Sequence, residues 1–154
     1  MSLLTTIMRQ LMFERPARKL DYGDFARILR EKGGAVEARI EKGNGEGKQH
    51  SALTHVIGIE KWAQSRVRAG LGEPLNMDEE YTVYRPAKGT DWSDLLPIFR
   101  ETRAESVALA EELSAENVPP EKTVPHNQFG DMTMRGWLQY IIGHADFESK
   151  RIAR

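Results

Sequence analysis

The chain has 154 residues, 40% hydrophobic and 29% charged, the balance of a soluble globular chain long enough for one compact domain across residues 1–154. Its 22 Lys+Arg stand against 23 Asp+Glu, a formal net charge of -1, so there is no electrostatic basis for displacing counterions from nucleic acid. Cysteine is absent, which excludes a disulfide framework, Cys-ligated zinc or iron–sulfur and a cysteine nucleophile, and leaves oxygen and nitrogen as metal ligands.

Apolar residues recur at helical spacing through most of the chain, which predicts an all-α fold. The first segment, Leu3 to Phe13, is amphipathic, with Leu3, Ile7 and Leu11 beside Leu4 and Met8, Ser2 as its cap and an end before Pro16. Thr5, Thr6, Arg9 and Gln10 interrupt its apolar residues, so it is no signal peptide, and no stretch of about 20 apolar residues exists to span a membrane. The expected compartment is the cytoplasm. A second helix from Tyr22 to about Glu41 turns Phe25, Ile28, Leu29, Ala35, Val36 and Ile40 inward, with Gly33 and Gly34 expected to bend or break it. Gly43 to Gly47 has three glycines in five residues and predicts a loop.

A third helix is expected from His50 or Ser51 to about Leu71, where Gly70, Gly72 and Pro74 stop it. Pro74 to Thr90 then forms a long crossover loop, of a length that usually carries a function. Trp92 to about Glu116 is the next helix, turning Leu95, Leu96, Phe99, Val107, Ala110 and Leu113 inward before Pro119-Pro120. An irregular stretch, Glu121 to Asp131, leads into a last helix capped by Thr133, running through Trp137, Leu138, Ile141, Ile142 and Ile152 and ending near Arg151 and Arg154. Long and short connections in this order imply a four-helix bundle with a crossover, plus the short N-terminal helix.

Ionisable groups on an inward helical stripe need a reason to be there, because burying them unpaired is costly. At about 100° per residue, His144 and Glu148 each lie about 20° from Trp137, one turn apart on the edge of the apolar arc. His55 falls on the stripe with Ala52, Ile59 and Trp62 in the third helix. Two imidazoles and a carboxylate from two helices have metal-ligand chemistry with coordination positions to spare, suiting zinc, non-haem iron, manganese or nickel. Such an ion would lower the pKa of a water or thiol and supply a nucleophile without cysteine. The bland alternative is a hydrogen-bonded core-edge histidine and a solvated glutamate paired with Lys150 or Arg151. His126, in the irregular loop before the last helix, is the candidate catalytic acid/base or polar pocket residue, or else a surface histidine. Tyr84, Arg85 and Trp92 either wall a pocket or plug the core. Arg103 either meets an anion or forms an ordinary salt bridge.

The segment His126-Asn127-Gln128-Phe129-Gly130-Asp131-Met132-Thr133, followed by Trp137-Leu138 and His144, resembles the C-terminal signature of the DinB-like superfamily. His55 followed by Glu60 and Trp62 resembles its other signature, and the Tyr84-Arg85-Pro86 loop and the Trp92 helix start fit as well. The resemblance covers the chain from about residue 20. It implies a four-helix bundle, commonly a homodimer, with a divalent metal on three histidines, whose places here are His55, His144 and Glu148. Glu148 departs from that pattern by adding negative charge, which makes a bound water less acidic and favours a harder metal or weak binding. A tryptophan often found before the second family helix is also absent, where this chain has Gly47-Lys48-Gln49.

The resemblance implies thiol transferases that use bacillithiol or mycothiol as co-substrate, an isomerase dependent on mycothiol, and proteins associated with stress or DNA damage. The expected function is therefore a metal-dependent thiol transferase or hydrolase acting on a small molecule in stress or detoxification. The alternative is a non-catalytic dimeric helical protein with a degenerate metal site. The N-terminal helix either extends a dimer interface or caps the bundle.

Overall fold

The computed structural model describes residues 1–153; Arg154, expected at the end of the last helix, lies outside the described residues. The chain is mostly helical, with one small two-stranded sheet, and among the described residues no helix is long and apolar enough to cross a membrane. In chain order the elements are α1 (Leu3–Arg9), α2 (Arg15–Ala17), α3 (Tyr22–Lys42), α4 (Gln49–Gly70), α5 (Trp92–Ala115), β1 (Thr123–His126), β2 (Gly130–Thr133) and α6 (Met134–Ser149). Both α3 and α4 pack against α5 and against α6.

The N-terminal segment departs from expectation at its end. It does not stop before Pro16: a wide π turn, Gln10–Glu14, joins α1 to α2 and precedes the proline, whose ring a regular helix would press against the carbonyl of Met12. Its apolar residues also face outward, with Leu3 77%, Leu4 66% and Leu11 54% exposed. Only Phe13, Glu14 and Ala17 are buried, because the segment meets the rest of the protein through the π turn and α2, which pack on α6.

Helix α3 opens with a capping box in which the Asp21 carboxylate accepts from Asp24 N at 2.7 Å and the Asp24 carboxylate accepts from Asp21 N at 3.0 Å. It runs unbroken through Gly33 and Gly34, contrary to the expected bend. Gly33 serves close packing instead: a Cβ there would come within 2.9 Å of Arg103 Cγ. Ala35, expected inward, is exposed, since Gly33, Val36 and Ile40 take the inner face. Helices α4 and α5 begin and end within two residues of the sequence expectation. The crossover between them holds one 3-10 turn, Tyr81–Tyr84.

The stretch expected to be irregular after α5 contains an antiparallel hairpin with Val124 opposite Met132 and His126 opposite Gly130. Its strands are four residues each, too short to show alternation in sequence, and Pro125 sits where a two-stranded ribbon has a free edge. Gly130, at φ 72°, supplies the left-handed residue that closes the turn. Trp137 in α6 donates from Nε1 to Val124 O at 2.9 Å, fixing the hairpin to the helix.

Thr133 caps α6 as expected, its hydroxyl accepting from Gly136 N at 2.9 Å. The helix ends at Ser149 rather than near Arg151; Ile152 lies beyond it and folds back into the core, in contact range of Gly43. Two apolar clusters fill the interior. One holds Phe25, Leu29, Trp62, Trp137 and Ile141, the other Val36, Ile40, Leu53, Phe99 and Ile152. The boundary between them on α3, α4 and α5 falls near Gly33, Glu60 and Arg103.

Candidate metal centre

His55 projects from α4, and His144 and Glu148 from successive turns of α6. One ligand atom of each lies within 4.8 Å of the other two. The two Nε2 atoms are 3.1 Å apart. A hydrogen bond at that distance joins two neutral imidazoles when one carries its proton on Nε2 and the other on Nδ1. Burial supports that state. It pushes His144 down to about 3, with His55 adding to the shift, and lowers His55 against the opposing pull of Glu148.

The nitrogen pair suits a divalent ion: ligand atoms about 2.0–2.1 Å from a tetrahedral ion stand ~3.3 Å apart, close to the observed nitrogen separation, and a Glu148 oxygen lies within 4.8 Å of a ring nitrogen of each histidine. Neither Nδ1 meets an acceptor among the described residues, so the rings are oriented by aromatic packing. The Tyr81 ring stands edge-on to His55 with centroids 5.0 Å apart, and Tyr140 stacks on His144 at 6.0 Å and an interplanar angle of 22°. Glu148 is paired with Arg151 at 3.3 Å. A cavity of about 480 Å³ opens beside His55 and Glu148, lined also by Lys48, Ser51, Arg85 and Arg151.

His126 is not part of this group. It is buried in an aromatic cage, stacked on Trp137 at 5.2 Å and edge-on to Trp62 and Tyr140. Its Nδ1 accepts from Gln128 N and Phe129 N, at 3.0 and 3.2 Å, so the proton sits on Nε2, which is buried without a partner. Burial, reinforced by the nearby Arg66 charge, pushes its pKa down to about 4. It reaches the metal candidates only through Tyr140, whose ring touches both His126 and His144.

The remaining sequence candidates divide cleanly. Arg103 forms a salt bridge, but with Glu60: Nε donates to Oε1 at 2.7 Å and Nη2 to Oε2 at 3.0 Å, while Nη1 donates to Leu29 O at 3.1 Å. Ser106 donates to Glu60 at 2.8 Å, and Gln64 donates to Ser106 and Thr102 O. Glu60 had been noticed in sequence only as part of a motif; its spacing of five from His55 puts it on another side of α4. Arg85 does wall the cavity, whereas Tyr84 donates to Glu79 and Trp92 packs at the end of the second apolar cluster. His50 is bound to Thr90 O at 2.7 Å. Tyr140 lies one turn from both Trp137 and His144 on α6, a helical spacing that could have found it, whereas Tyr81, in the crossover, carried no periodic or charge signal. Compared with protein-family models, curated proteins and solved structures, the chain matches none.

Proposed function

We propose that α3 to α6 form a four-helix bundle with a crossover, of the DinB-like kind, and that the protein is a divalent-metal-dependent thiol transferase or hydrolase acting on a small molecule. The observation that carries this reading is the convergence of His55, His144 and Glu148 from two helices, with His55 and Glu148 lining a cavity. When bound, the ion supplies a Lewis-acid centre with open coordination positions, which lowers the pKa of a thiol or water nucleophile. Everything else falls to the chain's own residues.

Tyr81 and Tyr140 hold the two imidazole planes. Holding an ion would require both Nε2 atoms free of protons, so each neutral ring would carry its single proton on Nδ1. Glu148 adds a hard oxygen, and Arg151 stays beside it as a countercharge. His126 supports the back of Tyr140 and is a positioning residue in this scheme. A homodimer is part of the proposal, giving cover to the apolar side chains that α1 exposes.

Elemental analysis of tag-free wild type and His144→Ala tests it, after incubation with zinc, nickel and manganese in turn. Near-stoichiometric metal in the wild type and loss in the variant is the expected result. One observation favours a second reading, a non-catalytic helical scaffold: the histidine contact already ties α4 to α6, and Arg151 already occupies Glu148, without an ion. Wild-type protein that takes up no metal, and keeps its stability on chelation, would establish that reading instead.

A further inference from the structure

The cavity over His55 and Glu148 has a strongly asymmetric charge. Three cations, Lys48, Arg85 and Arg151, face the single carboxylate of Glu148. A concave wall of one sign concentrates its field on whatever enters.

Arg85 is the most built of the three. Its Nη2 donates to Ser51 O at 3.1 Å and to Thr54 Oγ1 at 2.6 Å, both on the first turns of α4. Its stem lies against Gly58, where a Cβ would come within 2.6 Å of Arg85 Cγ. The guanidinium is therefore seated by a recess in α4 and held at one nitrogen. Among the described residues no carboxylate lies within salt-bridge distance of it, and Nε and Nη1 have no protein acceptor. Arg30, Arg39, Arg68, Arg100 and Arg103 differ in that each is matched to a carboxylate. Lys48, exposed at the mouth, is likewise without an acidic partner among the described residues. A second cavity, of about 600 Å³, meets the first along Ser51 and Arg85 and carries a further lysine, Lys88.

We propose that this cavity binds a small molecule through an oxyanion, a carboxylate or a phosphate, held by the free edge of Arg85 with Lys48 and Arg151. The planar fork of an arginine matches either group with two parallel hydrogen bonds. That the oxyanion belongs to a substrate rests on the metal reading above; that the cavity binds one does not. The two are coupled, because the three cations weaken the binding of a divalent cation beside them and an anion among them offsets that repulsion. Zinc and the oxyanion each raise the other's affinity by the same factor.

The test is calorimetric titration of metal-free protein with succinate and, separately, inorganic phosphate, at ionic strength held constant with sodium chloride. Saturable binding is expected, at least ten-fold weaker in Arg85→Gln and a few-fold weaker in Lys48→Gln. Lys48 is exposed, so its variant reports even if Arg85→Gln fails to fold. Tighter succinate identifies a carboxylate, tighter phosphate a phosphate group. No saturable binding of either anion by the wild type, or equal affinity in wild type and both variants, overturns the proposal. A protein that binds succinate but takes up no zinc would leave the oxyanion site standing and remove the metal reading. One that takes up zinc and binds neither anion would do the reverse.

Discussion

Helix α4 carries two polar clusters five residues apart, and they are built on opposite plans. Around Glu60 every polar atom is used: both carboxylate oxygens, two guanidinium edges, a hydroxyl and an amide close on one another in the interior, with Glu60 1% and Arg103 4% exposed. Around His55 the set is half-buried and unfinished, with two imidazoles sharing one proton, a carboxylate paired from outside and three cations over a cavity. A closed network holds helices in register; an unfinished one has donor and acceptor capacity left for a ligand. Residue type alone does not separate them, since both contain a glutamate aimed between helices.

Breaking the closed cluster has the largest expected effect. Arg103→Ala leaves Glu60 charged and unpaired in the interior and costs about 3–5 kcal/mol in urea unfolding, whereas replacing both partners by apolar residues of similar volume restores most of it. If the single and double variants lose the same amount, the cluster is not a closed unit. Next is His126, buried like the first cluster but short of one partner. A histidine held neutral in the fold takes up a proton on unfolding, so between its ordinary value of 6.5 and about 4 the unfolded chain binds more protons and stability falls as pH falls. His126→Phe makes the loss between pH 6.5 and 4.5 shallower by about 2 kcal/mol, read from denaturant melts at each pH.

A smaller effect is expected where the N-terminal segment meets α6. The Glu14 carboxylate accepts from Thr133 N at 3.0 Å and from Thr133 Oγ1 at 2.7 Å, and a Cβ on Gly136 would strike it. Glu14→Ala should cost about 1–2 kcal/mol by leaving Thr133, the cap of the helix that bears His144 and Glu148, without its acceptor. The smallest belongs to an exposed pair. Arg27 and Glu31, one turn apart at 3.3 Å and more than half exposed, are worth less than about 0.5 kcal/mol, so Glu31→Ala should leave the melting curve nearly unchanged. A large loss there would mean that exposure does not distinguish structural from idle charge pairs in this protein.

Much of the helical layout was legible in sequence, and for local reasons. The Ser2 and Thr133 caps, the glycine loop before α4 and the 3.6-residue stripes of α3 to α6 depend on residues within a few positions of one another. The errors share a different cause. Gly33 and Gly34 resemble a helix break until Arg103, seventy residues on, is seen lying against Gly33. Pro16 reads as the end of the first helix, and only the π turn that packs against α6 shows how the helix runs on past it. The hairpin before α6 is too short to have a period of its own.

The site divides along the same line. One turn of spacing places His144 and Glu148 together wherever α6 lies, so that pairing is a property of the chain. Its meeting with His55, the Tyr81 and Tyr140 rings beside the imidazoles and the seating of Arg85 against Gly58 are decided by how α4, α6 and the crossover dock. So is the fate of Glu60, which took Arg103 as its partner on α5. Helical periodicity fixes the angle of a side chain about its own axis, and only the packing of one helix on another decides what that side chain faces.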